Sequence, residues 1–476
     1  MPCDTHFNYI NNAFNMRIPL RITLTLLLIV SFSLDKGYIS SATFSKSEIL
    51  TNQEQAELSR ILSYDKIQRI DSLLNEYDAT NQYHGNILVA IDGAVVAERA
   101  MGYADPVMRT PCNSSMVYQL ASVSKQFTAA AIMLLKADGR INFSEKVSTY
   151  IPELPYKSVT IAHLLHHTGG VPNYMYLVDR YWNKDYPPDN EDVVALMAKY
   201  KLPEFFKAGY RYDYSNTGYM LLATIVQRVS GLSLNEFLQR RIFRPLGMND
   251  TYVYSSADEN GQKCHLMGYR PVRRGYVSIP ETLNDGPVGD KGVCSTLKDL
   301  FIWDRALYEG FPFSAELLEE AFSPIRSSNG RQVEYGYGFR IKQVNGEKAV
   351  YHNGVWEGFR TNFHRYPSQG NTIIALNNTS TRTNHHLVSQ IEEILSGVNT
   401  DDPTRLLVYL TIEEGFDQAF DTFLSFPAEQ RMSSVDFGKI ILAAGYLAST
   451  GKVHKAAELN MLSEKARALA QTSSDL

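Results

Sequence analysis

Cysteine is scarce in this chain: Cys3, Cys112, Cys264 and Cys294 are the whole supply in 476 residues. Cys3 precedes the segment read below as a leader. Three thiols then remain, so at most one disulfide forms, and their spacing matches no zinc site. An excess of positive charge is lacking too. Lys and Arg total 46 against 51 Asp and Glu, a net charge of -5. With no basic patch to follow a phosphate backbone, nucleic acid is excluded as a partner. Long apolar runs are also missing. The best, Ile22 to Leu34, is too short for a confident membrane span. No internal repeat is visible. What is present is ordinary, with 44% hydrophobic and 20% charged residues. Such a chain carries two or three structural units around a large core.

The short apolar run has its own meaning. Arg17 and Arg21 precede it, and Ser40-Ser41-Ala42 offers small residues before Thr43. That is the pattern of a secretory leader. The polar stretch 1–15 is unlike a leader, and Met16 is an alternative start. Export to the periplasm with cleavage near Ala42 is expected. An uncleaved segment would instead anchor the chain, the one route to membrane contact. No Cys follows the run, which argues against a lipid-modified cysteine.

The remainder divides in two. Residues 43–398 begin with a polar lead and a helix bearing Ile67, Ile70, Leu73 and Leu74 on one face. Asn86–Ile91 and Val95–Met101 flank Asp92-Gly93, a strong hairpin signal. Residues 140–320 carry helical patterns and long loops, with helices at Thr160–His166 and Tyr219–Val229. Strand character returns at Tyr335–Val344, Lys348–His352, Phe359–Tyr366 and Asn371–Asn377, with turns at Asn345-Gly346 and Ser368-Gln369-Gly370. A helix over His386–Leu395 follows. Strands at both ends and helices between predict an α+β fold: one antiparallel sheet built from both ends, flanked by helices, with an inserted helical lobe. Residues 399–476 read as a helical extension, with Asp436–Thr450 and Val453–Ala470 as a helical hairpin expected to pack on the main body.

Three short motifs carry chemistry. Ser122-Val123-Ser124-Lys125 precedes an apolar helical pattern closed by Gly139, which puts Ser122 at a helix N-terminus and Lys125 one turn on. The other Ser-x-x-Lys matches, such as Ser63/Lys66 and Ser295/Lys298, open no helix this apolar. A serine hydroxyl needs a base, and a desolvated lysine is one. Tyr214-Ser215-Asn216 offers a phenol to shuttle a proton and an amide to hold the lysine and a substrate carbonyl. Alternatively, Tyr214 is a packed aromatic and Asn216 a turn-former. His352-Asn353-Gly354 follows a strand pattern. Its glycine lets a substrate approach, and the Val355 N–H pairs with the Ser122 N–H as an oxyanion hole. The adjacent pairs His166-His167 and His385-His386 lack further ligands at metal spacing, so neither a metal nor a cofactor is expected. Gly286–Gly292 is glycine-rich without a preceding strand, a loop near the site rim and not a phosphate cradle.

In this order, and with the flanks Gln119-Leu120-Ala121 before Ser122 and Gln126-Phe127-Thr128 after Lys125, the motifs resemble the serine β-lactamase and penicillin-binding-protein superfamily. The similarity is to its class C β-lactamase-related branch. His163-Leu164-Leu165-His166-His167-Thr168-Gly169-Gly170-Val171-Pro172 and Pro245-Leu246-Gly247-Met248 extend the resemblance over about residues 65–397. It implies Ser122 as acyl-accepting nucleophile, Lys125 and Tyr214 sharing the proton work, and Asn216, His352 and Gly354 binding substrate. His352 stands where β-lactamases usually carry the lysine that binds a penicillin carboxylate. Val355 stands where they carry Ser or Thr. The histidine resembles the peptidase and esterase members, and Val355 removes another carboxylate-binding hydroxyl. Tyr174 and Tyr176 are either pocket residues for an apolar acyl group or core.

The expected function is serine hydrolysis through an acyl-Ser122 ester, on an ester, a D-amino-acid amide or a β-lactam. The partner is then a small acyl substrate or a cell-wall-like peptide. Acyl transfer to an alcohol and slow-turnover penicillin sensing are the alternatives. If the leader reading holds, N-terminal sequencing of protein from cell fractions will give a mature chain starting near Thr43 in the periplasm. A cytosolic protein with residues 16–42 intact would contradict it.

Overall fold

The computed structural model describes residues 50–259, 261–344, 346–396, 403–427, 431 and 434–472. The leader, its cleavage site, Cys3 and Asn345 of one expected turn lie outside the described residues. Two compact units emerge, one spanning Asp65–Val398 and one combining the chain up to Tyr64 with the chain from Asn399.

The larger unit is built on the expected sheet. Strands β1 (Gly85–Ile91) and β2 (Ala94–Met101) form the hairpin. Asp92 and Gly93 at its tip take φ of 50° and 77°, the left-handed pair that a two-residue turn needs to match strand twist. Four later strands follow: β3 (Arg340–Val344), β4 (Glu347–Trp356), β5 (Phe359–Tyr366) and β6 (Asn371–Asn377). The order is β3-β4-β5-β6-β1-β2, antiparallel throughout. The two ends of the unit meet where β1 pairs with β6, Leu88 opposite Ile374.

Strand periodicity sends alternate side chains to opposite faces. Ile87, Val89 and Ile91 pack with Ile70 and Leu74 of helix Tyr64–Ala79 and with Leu387 and Ile391 of helix Thr383–Ser396. Leu88 and Ala90 face the other way, into the core around helix Lys125–Ala137. That helix is apolar nearly all round, with every residue from Lys125 to Leu135 buried, as a helix wedged between a sheet and a helical lobe must be. The lobe holds helices Ile161–Leu165, Tyr174–Tyr181, Asn190–Tyr200 and Asn216–Ser230.

Two strand boundaries differ from the sequence pattern. The run from Tyr335 becomes a strand only at Arg340. Gly338, at φ 77°, is pressed so closely on helix Lys125–Ala137 that a Cβ there would meet the Lys125 carbonyl oxygen at 2.6 Å. The second run continues past His352 to Trp356, so His352 lies inside β4. A further three-stranded sheet escaped the pattern because its strands are so short: Tyr118–Gln119, Val293–Ser295 and Tyr252–Val253.

The smaller unit is helical. Helix Asn52–Leu62 joins Pro403–Glu413, Phe416–Ser425, Phe437–Ser449 and Val453–Thr472 around a core that includes Leu58, Leu407, Phe423, Ile440 and Leu459. The hairpin expected from residues 436–470 is its last pair of helices. Residues 52–62 were expected as part of a polar lead to the sheet unit; they form a helix instead, whose buried Leu58 and Leu62 pack with the C-terminal helices. Among the described residues no helix is long and apolar enough to cross a membrane.

A buried ion pair ties helix Leu297–Glu309 to the sheet. Arg365 of β5 donates to Asp304 at 2.8 Å with both side chains enclosed. Thr372 of β6 donates to the same carboxylate at 2.7 Å. Removing the acid leaves the guanidinium buried without counter-charge. Asp304→Ala is therefore expected to cost about 3–5 kcal/mol, read from urea unfolding, and an unchanged midpoint would contradict this account.

Candidate active site

Ser122 sits on a single 3-10 turn, Ala121–Ser124, that runs into helix Lys125–Ala137. The start is thus tighter than the α-helical N-terminus expected. Ala121 takes φ 51°, a left-handed conformation that costs a residue with a Cβ about 1 kcal/mol. Neighbours hold the turn in place. The Leu120 N–H donates to the Val293 carbonyl at 2.8 Å, and Thr361 Oγ1 donates to the Leu120 carbonyl at 2.7 Å. Gly354 lies directly over the turn. A Cβ there would stand 2.1 Å from Thr361 Oγ1 and 2.3 Å from the Leu120 oxygen. The glycine of the third motif is therefore required by the protein's own backbone.

The two serines separate cleanly. Ser124 is fully buried and its hydroxyl accepts from the Val293 N–H at 3.0 Å. Ser122 is half-buried, with Oγ 3.2 Å from Lys125 Nζ.

Lys125 Nζ is fully buried and also reaches Asn216 Oδ1 at 2.9 Å and the Asp290 carbonyl oxygen at 2.8 Å. Burial brings its pKa down from 10.5 to about 7, the Asp290 carboxylate opposing and the Arg340 guanidinium reinforcing. A neutral amine has two N–H donors and one lone pair. Asn216 Oδ1 and the Asp290 carbonyl can only accept, so they take the donors. The lone pair is left for the Ser122 hydroxyl, the one partner able to donate.

Tyr214 stands on the other side of that amine, its ring 4.8 Å from Nζ. Burial holds the phenol well above its ordinary range, with the nearby Ser122 hydroxyl and Arg340 opposing. Its hydroxyl is buried without a partner in hydrogen-bonding geometry, although Ser122 is close enough to act on it electrostatically. Asn216 begins helix Asn216–Ser230, where Ser215 caps the Gly218 N–H at 3.2 Å. Asn216 is thus fixed by a helix start, not by a free turn.

His352 is completely enclosed. Nδ1 lies 2.8 Å from the Asn353 carbonyl and Nε2 2.9 Å from the Tyr335 hydroxyl. A carbonyl only accepts, so Nδ1 carries the proton and Nε2 accepts from Tyr335. Burial, with Lys125 and Arg340 adding to it, keeps the ring neutral. His352 thus forms the wall behind the site. Val355 is 60% exposed. The pairing of β3 with β4 stops at Tyr351, so β4 has an open edge from His352 onward. Tyr174 is core, bonded through its hydroxyl to Lys291 and Asp290, whereas Tyr176 is 65% exposed.

Three participants were not foreseen. Asp290 acts through its main chain, which no side-chain pattern reports. The loop Gly286–Gly292 runs beneath the nucleophile helix, where the Gly289 carbonyl also accepts from Thr128 at 2.7 Å. His167 packs between Tyr214 and Tyr335, each ring centroid 4.4 Å away, and accepts the Ser215 N–H at 3.0 Å on Nδ1. His166 turns elsewhere, to the Tyr335 carbonyl at 2.8 Å. Arg340, the first residue of β3, places its guanidinium 5.0 Å from the Tyr214 ring. Its position just after the Gly336–Gly338 break was the available signal. A small pocket of about 80 Å³ opens beside Tyr214 and Asn216, lined by Val171, Phe205 and Phe206 together with Asn173, Asp213 and Ser215.

Comparison with known proteins agrees with this geometry. The family model described as Beta-lactamase matches residues 70–393. The chain is 34% identical over 359 residues to penicillin-binding protein 4* of Bacillus subtilis, covering 72% of this chain and 79% of that protein. It is 26% identical over 297 residues to a D-aminopeptidase of Gluconobacter oxydans, covering 62% and 55%. Among solved structures, the octameric penicillin-binding protein homologue from Pyrococcus abyssi superposes with a TM-score of 0.59 at 28% identity, covering 72% of this chain and 81% of that one.

The neutral amine sets a pH test. Protonation of Lys125 removes its lone pair, so acylation by an activated ester should fall about tenfold per pH unit below the pKa and level off above it. The bend is expected near pH 7. Lys125→Ala and Tyr214→Phe should each lower acylation by roughly 10²–10⁴ without unfolding the protein. A flat profile from pH 5 to 9, or either variant at full rate, would leave these groups only structural.

Proposed function

The chain belongs to the Beta-lactamase family, and we propose that within it this protein is a serine hydrolase working through a covalent acyl-Ser122 ester. The single observation carrying this is the buried Lys125 amine, 3.2 Å from the Ser122 hydroxyl and held by Asn216 and the Asp290 carbonyl. Lys125 takes the proton as Ser122 Oγ attacks the substrate carbonyl. The N–H groups of Ser122 and Val355 receive the developing oxyanion. Tyr214, held as a phenol, hands a proton to the leaving group, and Asn216 orients the acyl chain. Water then attacks the ester along the reverse of the same proton path. Transfer to an alcohol is the alternative fate of that ester, and slow deacylation would make the protein a penicillin sensor.

The acyl donor we favour is an ester or a D-amino-acid amide with an apolar acyl group. The pocket beside Tyr214 sets Val171, Phe205 and Phe206 beside such a group, among the polar residues Asn173, Asp213 and Ser215. The enclosed, neutral His352 and the apolar Val355 supply no anchor for a carboxylate.

A second reading rests on Arg340. Its guanidinium lies over the neutral rings of Tyr214 and Tyr335, at 5.0 and 5.9 Å, and no carboxylate among the described residues forms an ion pair with it. A half-buried guanidinium without a counter-ion beside the nucleophile's proton shuttle fits a substrate that brings a free carboxylate, such as a peptide acid.

One set of assays tests both readings. kcat/KM is measured for a p-nitrophenyl ester, a D-alanyl amide, a cephalosporin, and a D-alanyl-D-alanine peptide as its free acid and its C-terminal amide. The first reading expects the ester or D-amide to exceed the cephalosporin, and a preference for the cephalosporin overturns it. The second expects the free acid to exceed its amide by roughly 10- to 100-fold, as one charge-assisted hydrogen bond supplies. Arg340→Gln should erase that ratio while sparing the uncharged ester. Equal rates on acid and amide in the wild type remove Arg340 from substrate recognition.

A further inference from the structure

Two thiols distant in sequence are brought together behind the nucleophile. Cys294 is the middle residue of the short strand Val293–Ser295. It lies opposite Gln119 on one side and Tyr252 on the other. The Tyr252 hydroxyl donates to the Lys263 carbonyl at 3.0 Å, which draws the next residue, Cys264, over the same strand. Cys264 consequently packs against the buried cluster formed by Tyr252, Tyr254 and Cys294. Neither is in a disulfide in this structure. The pair is asymmetric, with Cys264 half-buried and Cys294 fully enclosed. Cys112 lies elsewhere, its sulfur 3.9 Å from the Tyr118 hydroxyl.

We propose that Cys264 and Cys294 form a redox-modification site that closes to a disulfide when a small-molecule disulfide, such as oxidised glutathione, serves as oxidant. Cys264, the accessible thiol, loses its proton and attacks one sulfur of the oxidant. The oxidant's S–S bond breaks, one thiol leaves, and a mixed disulfide stands on Cys264. Cys294, in the cluster on which Cys264 packs, attacks the Cys264 sulfur and gives up its proton, and the second thiol departs. Two hydrogens and two electrons pass from the protein to the oxidant, which ends as two thiols. An exposed attacking group beside a buried resolving group is the arrangement this order requires.

The bond would brace the site from behind. The Cys294 strand touches the nucleophile turn twice, because Val293 donates to Ser124 and accepts from Leu120. The segment between the two cysteines contains Asp290, whose carbonyl holds Lys125. A cross-link here restricts the unfolded chain and leaves these contacts as they are. The oxidised protein is therefore more heat-stable and keeps its catalytic geometry.

The full chain is reduced, incubated with oxidised glutathione, alkylated, and mapped by mass spectrometry without reductant. The expected product in wild type and in Cys112→Ser is one cross-linked pair of peptides carrying Cys264 and Cys294, two hydrogens lighter. It should reverse with dithiothreitol and unfold several degrees above the reduced form. Cys264→Ser should form no bond at Cys294. Cys294→Ala should stop at a glutathione adduct on Cys264. If, in the wild type, both thiols are alkylated after treatment, glutathione remains on Cys264, or the bond joins Cys112, the proposal fails. Because Cys264→Ser alters only a half-exposed thiol, the test stands even if Cys294→Ala does not fold.

Discussion

The structure of the site depends on one buried amine. An ammonium in a dry interior is unstable unless it is paired, and Lys125 has no carboxylate in contact. Burial therefore shifts it toward the neutral form. What would be a fault in an ordinary core suits the base role proposed for it, because the two acceptors beside the neutral amine use its two N–H groups and leave a lone pair for the serine. Each acceptor comes from a different place: Asn216 from the start of a helix in the lobe, Asp290 from the loop ahead of Val293. The fold has to bring three distant segments within hydrogen-bonding distance of a single nitrogen, and much of its detail follows from that need.

The need appears as close backbone approaches. β4 crosses the nucleophile turn where a Cβ on Gly354 would meet an oxygen at 2.3 Å, and the segment ahead of β3 crosses helix Lys125–Ala137 where a Cβ on Gly338 would meet one at 2.6 Å. Both glycines allow the sheet and the helix to clamp one turn of chain. The left-handed φ at Ala121 is the cost of aiming Ser122 outward while Ser124 points into the core. The cross-links Thr361–Leu120 and Leu120–Val293 keep that conformation from relaxing.

The sequence made the local parts legible. Asp92-Gly93 marked its hairpin because two left-handed residues in a row have few other uses. Strands β5 and β6 matched their patterns end to end because both are buried and bounded by turn residues. Ser122, Lys125, Tyr214 and Asn216 were legible as candidates, and the fold does gather them. What was not legible was set by tertiary contact. The three-stranded sheet around Val293–Ser295 has strands of two or three residues, too short for any periodicity. Asp290 works through its carbonyl. Residues 52–62 read as a polar lead because few apolar side chains mark their helix, and Leu58 and Leu62 show their role only once the C-terminal helices pack on them.

His352 and Arg340 show why a motif transfers chemistry less well than it transfers shape. The substitution of histidine for lysine in the third motif reads, in one dimension, as the loss of a cation. In the fold, the histidine is enclosed and neutral, with its proton committed to the Asn353 carbonyl and its lone pair to Tyr335. A lysine in that enclosed position would be a second desolvated amine close to Lys125, and the two would repel. A neutral ring avoids that conflict. Positive charge instead enters from the neighbouring strand, where Arg340 is opposite Tyr351 at the last pair of the β3–β4 ladder. A guanidinium stays charged at any ordinary pH, is weakly hydrated, and stacks on aromatic faces, so it tolerates a half-buried place among tyrosines. The exchange separates two tasks. The site keeps a permanent positive charge at its rim, while the nitrogen that must accept a proton is left free of one.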